Sequence, residues 1–222
     1  MGASDEPEPR WSELLRAVQS SVPDESGPHS NRVGAVAEAL YRAWASRHDR
    51  SADNTDKVAT VVRQAAMLHD VGKRCVPAEL LGRATGLTDH EFAIIRTHTI
   101  EGAAFFAEAV DPVEVMAYEV CLRHHERWDG GGYPGRSWDL RDSGLYPDVG
   151  LIGEEIPFFA RVVALADVYD ALLSKRAYKE PWPESDVLEH IRAQRGRHFD
   201  PLLVDVFFEA YEDIRRARES LI

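Results

Sequence analysis

The stretch Ala65-Ala-Met-Leu-His69-Asp70-Val-Gly72-Lys73 closes an apolar pattern that predicts a core-facing helix. The pattern repeats at the spacing of one helix face, at Val58, Val61, Val62, Ala65, Ala66 and His69. His69 therefore points into the core, where an imidazole costs free energy unless it is paired or coordinated. Asp70 lies beside it at the predicted helix end, and we expect Gly72 to end the helix. The pair indicates either a metal ion or a capped helix with a satisfied core histidine.

Other segments carry the same helical period, and none shows the alternation of a strand. Helices are expected at residues 11–18, 29–48, 88–106, 111–125, 157–173, 183–194 and 201–218. The segment 157–173 is apolar on nearly all sides, yet it contains Asp167 and Asp170, and buried carboxylates need partners. The sequence predicts an all-α helical bundle with a long functional loop, Arg127 to Gly153, rich in glycine and proline.

Composition limits the classes of partner. The chain has 222 residues, which suits one large domain, and 44% of them are hydrophobic. A net charge of −12 argues against duplex nucleic acid or an anionic membrane as the main partner. No apolar run approaches the roughly 18 residues of a membrane span, and we see no signal peptide. Cys75 and Cys121 form no C-x-x-C motif, so we expect a cytoplasmic protein.

Seven candidate metal ligands fall at predicted helix ends or on apolar faces. They are His29, His69, Asp70, His98, His124, His125 and Asp167. Imidazole and carboxylate groups without thiolates suit iron, manganese, zinc or a related divalent ion. Seven ligands exceed one tetrahedral site, so we expect two ions, which together would clamp a phosphodiester and activate a bridging water.

An ordered set of motifs, from about residue 25 to residue 210, resembles the HD-GYP family of HD-domain phosphohydrolases. The matching segments are His29-Ser-Asn-Arg-Val33, His69-Asp70-Val-Gly72-Lys73, His98-Thr-Ile-Glu-Gly102, His124-His125-Glu126-Arg127-Trp-Asp129-Gly-Gly-Gly132-Tyr133-Pro134, Gly153-Glu-Glu-Ile-Pro157, Ala164-Leu-Ala-Asp167-Val-Tyr-Asp170-Ala-Leu and Gly196-Arg-His198-Phe-Asp200-Pro201. A lone His-Asp pair is a weak signal, whereas this ordered set is highly specific.

The resemblance implies a bacterial signalling enzyme that hydrolyses cyclic di-GMP to pGpG or GMP through a metal-activated hydroxide. It implies an HD-domain bundle, here residues 25–222 after a tail and short helix at 1–24, with two or three divalent ions, iron or manganese. The seven residues above match the family's ligands, and Asp70 would bridge two ions. Glu25 stands where some members place a ligand for a third ion; it is otherwise a solvated loop glutamate.

The same resemblance suggests residues around the substrate. Lys73 would act in catalysis by approaching the scissile phosphate, or would pair with Asp170. Tyr133 would contact the substrate or pack at the pocket lip. Arg176 and Lys179 match phosphate and guanine contacts, although cations past a helix end also suit its dipole. The segment Gly135 to Ile152 is longer than usual in the family; it would be a lid, a partner-binding segment or a tolerated loop.

Two other functions stay open from the sequence. One is a catalytically weak module that binds a cyclic dinucleotide or another protein. The other is an HD-type phosphohydrolase for another nucleotide. All the common ligands are present, which favours the enzyme, and the Gly-Tyr-Pro segment favours a cyclic dinucleotide. A regulatory protein and a second copy of the chain are the further partners considered.

Overall fold

The fold is helical throughout the part of the chain that the computed structural model describes, residues 8–21, 26–48, 51–83, 86–136, 149–175 and 180–222. Its helices are α1 Arg10–Ser21, α2 Ser26–Arg47, α3 Ala52–Met67, α4 Ala78–Leu81, α5 Asp89–Arg96, α6 His98–Ala104, α7 Pro112–Arg123, α8 Phe158–Leu173, α9 Glu184–Ala193, α10 Pro201–Glu209 and α11 Tyr211–Glu219. Short 3-10 turns lie at Val71–Cys75 and Gly153–Glu155. Those ranges hold isolated β-bridges and no strand. The predicted all-α class is confirmed.

Helix α8 lies at the centre of the larger of two apolar clusters. Val162, Val163 and Leu165 have no exposed surface, as expected for a helix that is apolar on all sides. The helix packs against α2, α7 and α10, and α2 packs in turn against α3 and α11. This packing brings the carboxylates of α8 close to the start of α2.

A second apolar cluster joins the end of α3 to α6 and α7, through residues such as Leu68, Phe106 and Cys121. Trp11 and Leu14 of α1 pack on its outside. The predicted short N-terminal helix is therefore present as α1. His69 follows α3, His98 begins α6 and His124 follows α7, so these elements carry three imidazoles to one place.

The prediction that Gly72 ends α3 is wrong. The helix ends at Met67, and Gly72 lies in the following 3-10 turn. A Cβ atom at Gly72 would overlap the carbonyl oxygen of His98 and the backbone nitrogen of Gly102. Glycine is needed here because the turn and α6 approach one another closely.

The C-terminal segment differs from the prediction of one helix over residues 201–218. It forms α10 and α11, which are separated at Ala210. The break lets α11 turn onto α2 and bury Ile214 and Arg218. Residues 88–106 are likewise two helices, α5 and α6, and a capping box between Thr88 and Glu91 begins α5. None of the described helices combines the length and apolarity that a bilayer-crossing segment requires.

Candidate metal centre

Three buried histidines present unpaired ring nitrogens to one point. The Nδ1 atom of each contacts a backbone carbonyl oxygen of its own turn, at 2.8 Å for His69, 2.7 Å for His98 and 2.9 Å for His124. A carbonyl only accepts, so each Nδ1 carries the proton and each Nε2 carries a lone pair. Among the described residues, all three Nε2 atoms are buried without a hydrogen-bond donor. Buried lone pairs held in this way fit a metal ion, because it supplies the missing partner.

Asp70 lies in the middle of these rings. Its Oδ2 atom is 3.2 Å from Nε2 of His69, and its Oδ1 atom is 3.4 Å from Nε2 of His98. Asp70 belongs to two groups of potential ligands. Within each group, the ligand atoms all lie within 4.8 Å of one another. One group adds His98, His124 and His125 to Asp70, and the other adds His29 and His69.

His29 and Asp167 complete the cluster from α2 and α8. The Nε2 atom of His29 is 3.1 Å from Oδ1 of Asp167, and Nε2 of His69 is 3.8 Å from the same oxygen. The structure thus brings together all seven residues that the sequence pattern selected. The signal that found them was an imidazole or carboxylate on an apolar face or at a helix end.

The imidazoles of the first group are neutral. Burial lowers the pKa of His124 to about 3. Burial and the neighbouring His124 hold the pKa of His125 well below its ordinary value. Burial also lowers the pKa of His98. Neutral imidazole is the form that ligates a metal, so this group is ready to accept one.

The second group has the opposite electrostatics. Burial lowers the pKa of His29, but contacts with Asp167 and Asp170 outweigh it and raise the pKa to about 9. Burial raises the pKa of Asp167, but the contact with His29 holds it far below its ordinary value. A metal ion bound here must therefore displace a proton from His29.

This helical cluster of histidines and aspartates matches a known family. The sequence profile of the HD domain covers residues 14–203 of the chain. The chain belongs to the HD-domain family. The resemblance drawn from the motifs is thereby confirmed.

Curated relatives of this HD domain are phosphodiesterases of cyclic dinucleotides. The 3'3'-cGAMP-specific phosphodiesterase 2 of Vibrio cholerae is 34% identical over 208 residues, which cover 94% of this chain and 35% of that protein. A cyclic di-GMP phosphodiesterase of the same organism is 35% identical over 203 residues, which cover 89% of this chain and 38% of that protein. The chain therefore spans less than half the length of these relatives.

A solved structure supports the fold. The HD domain of the L. monocytogenes phosphodiesterase PgpH, in complex with cyclic-di-AMP, superposes with a TM-score of 0.53 at 19% identity, over 94% of this chain and 93% of that chain. At this identity the likeness concerns the fold alone, and it confirms the predicted HD-domain bundle.

Asp170 of the HD domain orients His29 from outside the cluster. Its Oδ2 atom is 2.7 Å from Nδ1 of His29. Arg32 donates to both carboxylate oxygens, at 2.7 and 3.1 Å, and Arg218 donates to Oδ1 at 2.6 Å. Sequence reasoning missed both arginines; Arg218 shares the last turn of α11 with Arg216, and no local signal separates the two.

Lys73 pairs with Asp70, not with Asp170, so the suggested Lys73–Asp170 pair is wrong. The lysine follows Asp70 by three residues in the 3-10 turn, which brings its ammonium onto the carboxylate. Burial raises the pKa of Asp70, but the charge of Lys73 outweighs it and holds the pKa well below its ordinary value. Asp70 is consequently ionised and able to bind a cation.

Tyr133 packs directly against the cluster. Its ring stacks on His125, with centroids 4.8 Å apart and planes 27° apart. The guanidinium of Arg96 lies over the same ring, 4.8 Å from its centroid. Sequence reasoning missed Arg96, because its position over the ring of Tyr133 depends on a different segment of the chain.

Glu126, another residue missed from the sequence, ties together the base of the long loop. Its carboxylate accepts hydrogen bonds from the backbone of Gly135 at 2.8 Å and of Leu151 at 3.1 Å, and from Arg123 at 3.0 Å. Its position directly after His125 couples the loop ends to the cluster. Glu25, Arg176, Lys179 and residues 137–148 of the longer segment lie outside the described residues.

Proposed function

We propose that this HD domain is a metal-dependent phosphodiesterase that hydrolyses cyclic di-GMP to pGpG or GMP. The observation that carries the proposal is the pair of ligand groups that share Asp70, in which buried Nε2 lone pairs have no hydrogen-bond partner among the described residues. Burial of such groups without a partner costs free energy, and a bound cation would offset that cost.

The cluster would hold two ions. His98, His124 and His125 with Asp70 form one set of ligands; His29 and His69 with Asp70 form the other, and Asp167 lies beside this second set. Iron or manganese suits imidazole and carboxylate ligands without thiolates. Glu25 is our candidate ligand for a third ion.

Bound divalent ions would act as Lewis acids that lower the pKa of a coordinated water and offset the charge of a phosphodiester. The protein's own contribution is orientation. Backbone carbonyls hold the rings of His69, His98 and His124, and Asp170 holds His29. Lys73 keeps Asp70 ionised, and its side chain is 35% exposed, so it can also donate to a phosphate oxygen.

We assign Tyr133, Arg176 and Lys179 to substrate binding. The stack of Tyr133 on His125 supports this assignment for the tyrosine, because an aromatic ring beside the metal ligands offers a base or sugar an apolar wall. The mixed guanine–adenine cyclic dinucleotide is the second candidate substrate, and the alignment with 3'3'-cGAMP-specific phosphodiesterase 2 over 94% of the chain favours it.

A product assay tests the proposal. Protein loaded with manganese or iron under reducing conditions is incubated with cyclic di-GMP, the mixed analogue and cyclic di-AMP, and products are separated by chromatography. We expect pGpG or GMP from cyclic di-GMP. His98→Ala should lose about a hundred-fold or more in rate, since even outer-shell changes cost about 10–100-fold. His90→Ala is the matched control, because His90 is exposed on the preceding helix and should keep full activity.

Three outcomes change the conclusion. Faster cleavage of the mixed analogue would keep the phosphodiesterase and replace the substrate. Tight binding of a cyclic dinucleotide without turnover would favour the binding module. No binding and no turnover with either metal would refute the proposal.

A further inference from the structure

Arg96, the last residue of α5, lies at the outer end of an aromatic row that starts at the metal cluster. The ring of Tyr133 stacks on His125, with centroids 4.8 Å apart. The guanidinium carbon of Arg96 is 4.8 Å from the Tyr133 centroid and 4.7 Å from that of Phe92. Phe92 is 45% exposed, so the row leads from a candidate ligand to solvent.

Arg96 is half-buried, and no carboxylate pairs with it among the described residues. Within the described ranges its side chain forms no ion pair or hydrogen bond, and its Nε atom is buried without a partner. Arg32 and Arg123 are half-buried and Arg218 is buried, and each donates to a buried carboxylate. The buried Nε–H group of Arg96 costs free energy, since it has lost water without gaining a partner among the described residues.

The two aromatic rings explain why the guanidinium stays in place without an anion. A cation over an aromatic face is attracted by the ring quadrupole, and arginine stacks in this way while its edge stays free to donate. Arg96 is thus held in advance in one orientation. A donor fixed before binding loses less freedom when a ligand arrives, which increases affinity.

The missing partner follows from the charge of the substrate. A cyclic dinucleotide contains two phosphodiester groups, and only one can be cleaved at the metal cluster at a time. Lys73 is already paired with Asp70, so its ammonium is partly neutralised. Resting on the proposed function, we propose that Arg96 binds the phosphate that is not being cleaved, through the paired N–H donors that match phosphate oxygens.

Two substrates separate this role from a structural one. Cyclic di-GMP carries two phosphates, whereas bis-para-nitrophenyl phosphate carries a single phosphodiester and reports on the metal cluster alone. Arg96→Gln should raise KM for cyclic di-GMP about ten- to a hundred-fold, the loss expected for a charge-assisted hydrogen bond. Its kcat/KM for bis-para-nitrophenyl phosphate should stay within about two-fold of the parent.

Two further variants complete the experiment. Arg96→Lys keeps the charge but loses the paired donors, so its KM for cyclic di-GMP should lie between those of the parent and Arg96→Gln. Arg192→Gln is the matched control. Arg192 lies on α9, and its guanidinium carbon is 4.3 Å from the ring centroid of Phe208 on α10. It removes the same kind of contact and should leave both substrates unaffected.

Equal losses on both substrates would overturn the proposal, because they would mean that Arg96 acts by supporting Tyr133 and His125. An unchanged KM for cyclic di-GMP would overturn it as well. Equilibrium dialysis with cyclic di-GMP separates this proposal from the proposed function. If the parent binds cyclic di-GMP but does not cleave it, the proposed phosphodiesterase activity is refuted. The role of Arg96 is then tested by comparing the Kd for cyclic di-GMP of Arg96→Gln with that of the parent: a higher Kd supports the role and an equal Kd overturns it. If the parent does not bind, both proposals fail.

Discussion

Asp170→Asn tests how the bundle holds the imidazole of His29. The Asp170 side chain is 0% exposed, and it accepts from Arg32 at 2.7 and 3.1 Å, from Arg218 at 2.6 Å and from Ser174 at 3.2 Å. Asparagine keeps the shape and removes the charge. Two enclosed guanidinium groups then lose the anion that compensates them.

The expected loss of stability is large. Removing one partner of a buried ion pair costs about 3–5 kcal/mol, because it leaves an uncompensated charge. In a chain of this size that loss lowers Tm by roughly 6–20 °C. Burial raises the pKa of Asp170, but His29 and Arg32 outweigh it and hold the pKa below its ordinary value. The stabilisation that ionised Asp170 provides is therefore complete above its pKa in the unfolded chain, about 3.9. It is lost as the pH falls below that value toward the pKa of Asp170 in the folded protein.

Urea denaturation of chelator-treated protein measures this loss without a contribution from bound metal. Asp205→Asn is the matched control, since Asp205 accepts two hydrogen bonds from Arg195 at 2.8 Å but its side chain is 42% exposed. Solvent screens that pair, so the control should barely move the midpoint. The reasoning is refuted if Asp170→Asn costs no more than the control, or if its deficit stays constant below about pH 4.

Three further predictions concern the turn, the loop base and pH. Gly72→Ala should lower the free energy of unfolding in urea by at least about 3 kcal/mol, because its Cβ would meet the backbone of α6. Gly82 is exposed, so Gly82→Ala should have little effect, and equal effects of the two substitutions would contradict the close approach. Glu126→Ala should cost about 1–3 kcal/mol for each of two amide groups left unpaired, and calorimetry showing an unchanged Tm would disprove this. In metal-free protein, His29 has a pKa of about 9 against 6.5 unfolded, so its stabilisation is complete below pH 6.5 and is lost as the pH rises through 9. His29→Gln should remove that slope from a pH series of urea midpoints, and an unaltered slope would exclude this origin.

The positions of helices along the sequence were predictable where a regular apolar period defines a segment. The apolar face ending at His69 and the apolar segment around Asp167 predicted α3 and α8. The helices expected to start at residues 88 and 111 are present as α5 and α7. Periodicity works here because burial of one face is a property of the segment itself.

Features that depend on a contact between distant segments were not predictable. Arg218 reaches Asp170 across 48 positions, and nothing in the local sequence distinguishes it from a cation at a helix end. Gly72 looked like a helix terminator because glycine often serves that role, whereas its actual requirement is the approach of α6. The same limitation hid Arg96, whose environment is set by Tyr133 in another part of the chain.

Metal analysis by mass spectrometry tests most directly the claim that these imidazoles and carboxylates hold divalent ions. Protein is loaded with iron or manganese under reducing conditions, freed of unbound metal and quantified, alongside Asp70→Ala and the control His90→Ala. We predict at least two ions per chain in the parent and in His90→Ala, and loss of metal and phosphodiesterase activity together in Asp70→Ala, since Asp70 belongs to both ligand groups. A parent protein that retains no metal, or an Asp70→Ala variant with full metal content and turnover, would contradict the assignment.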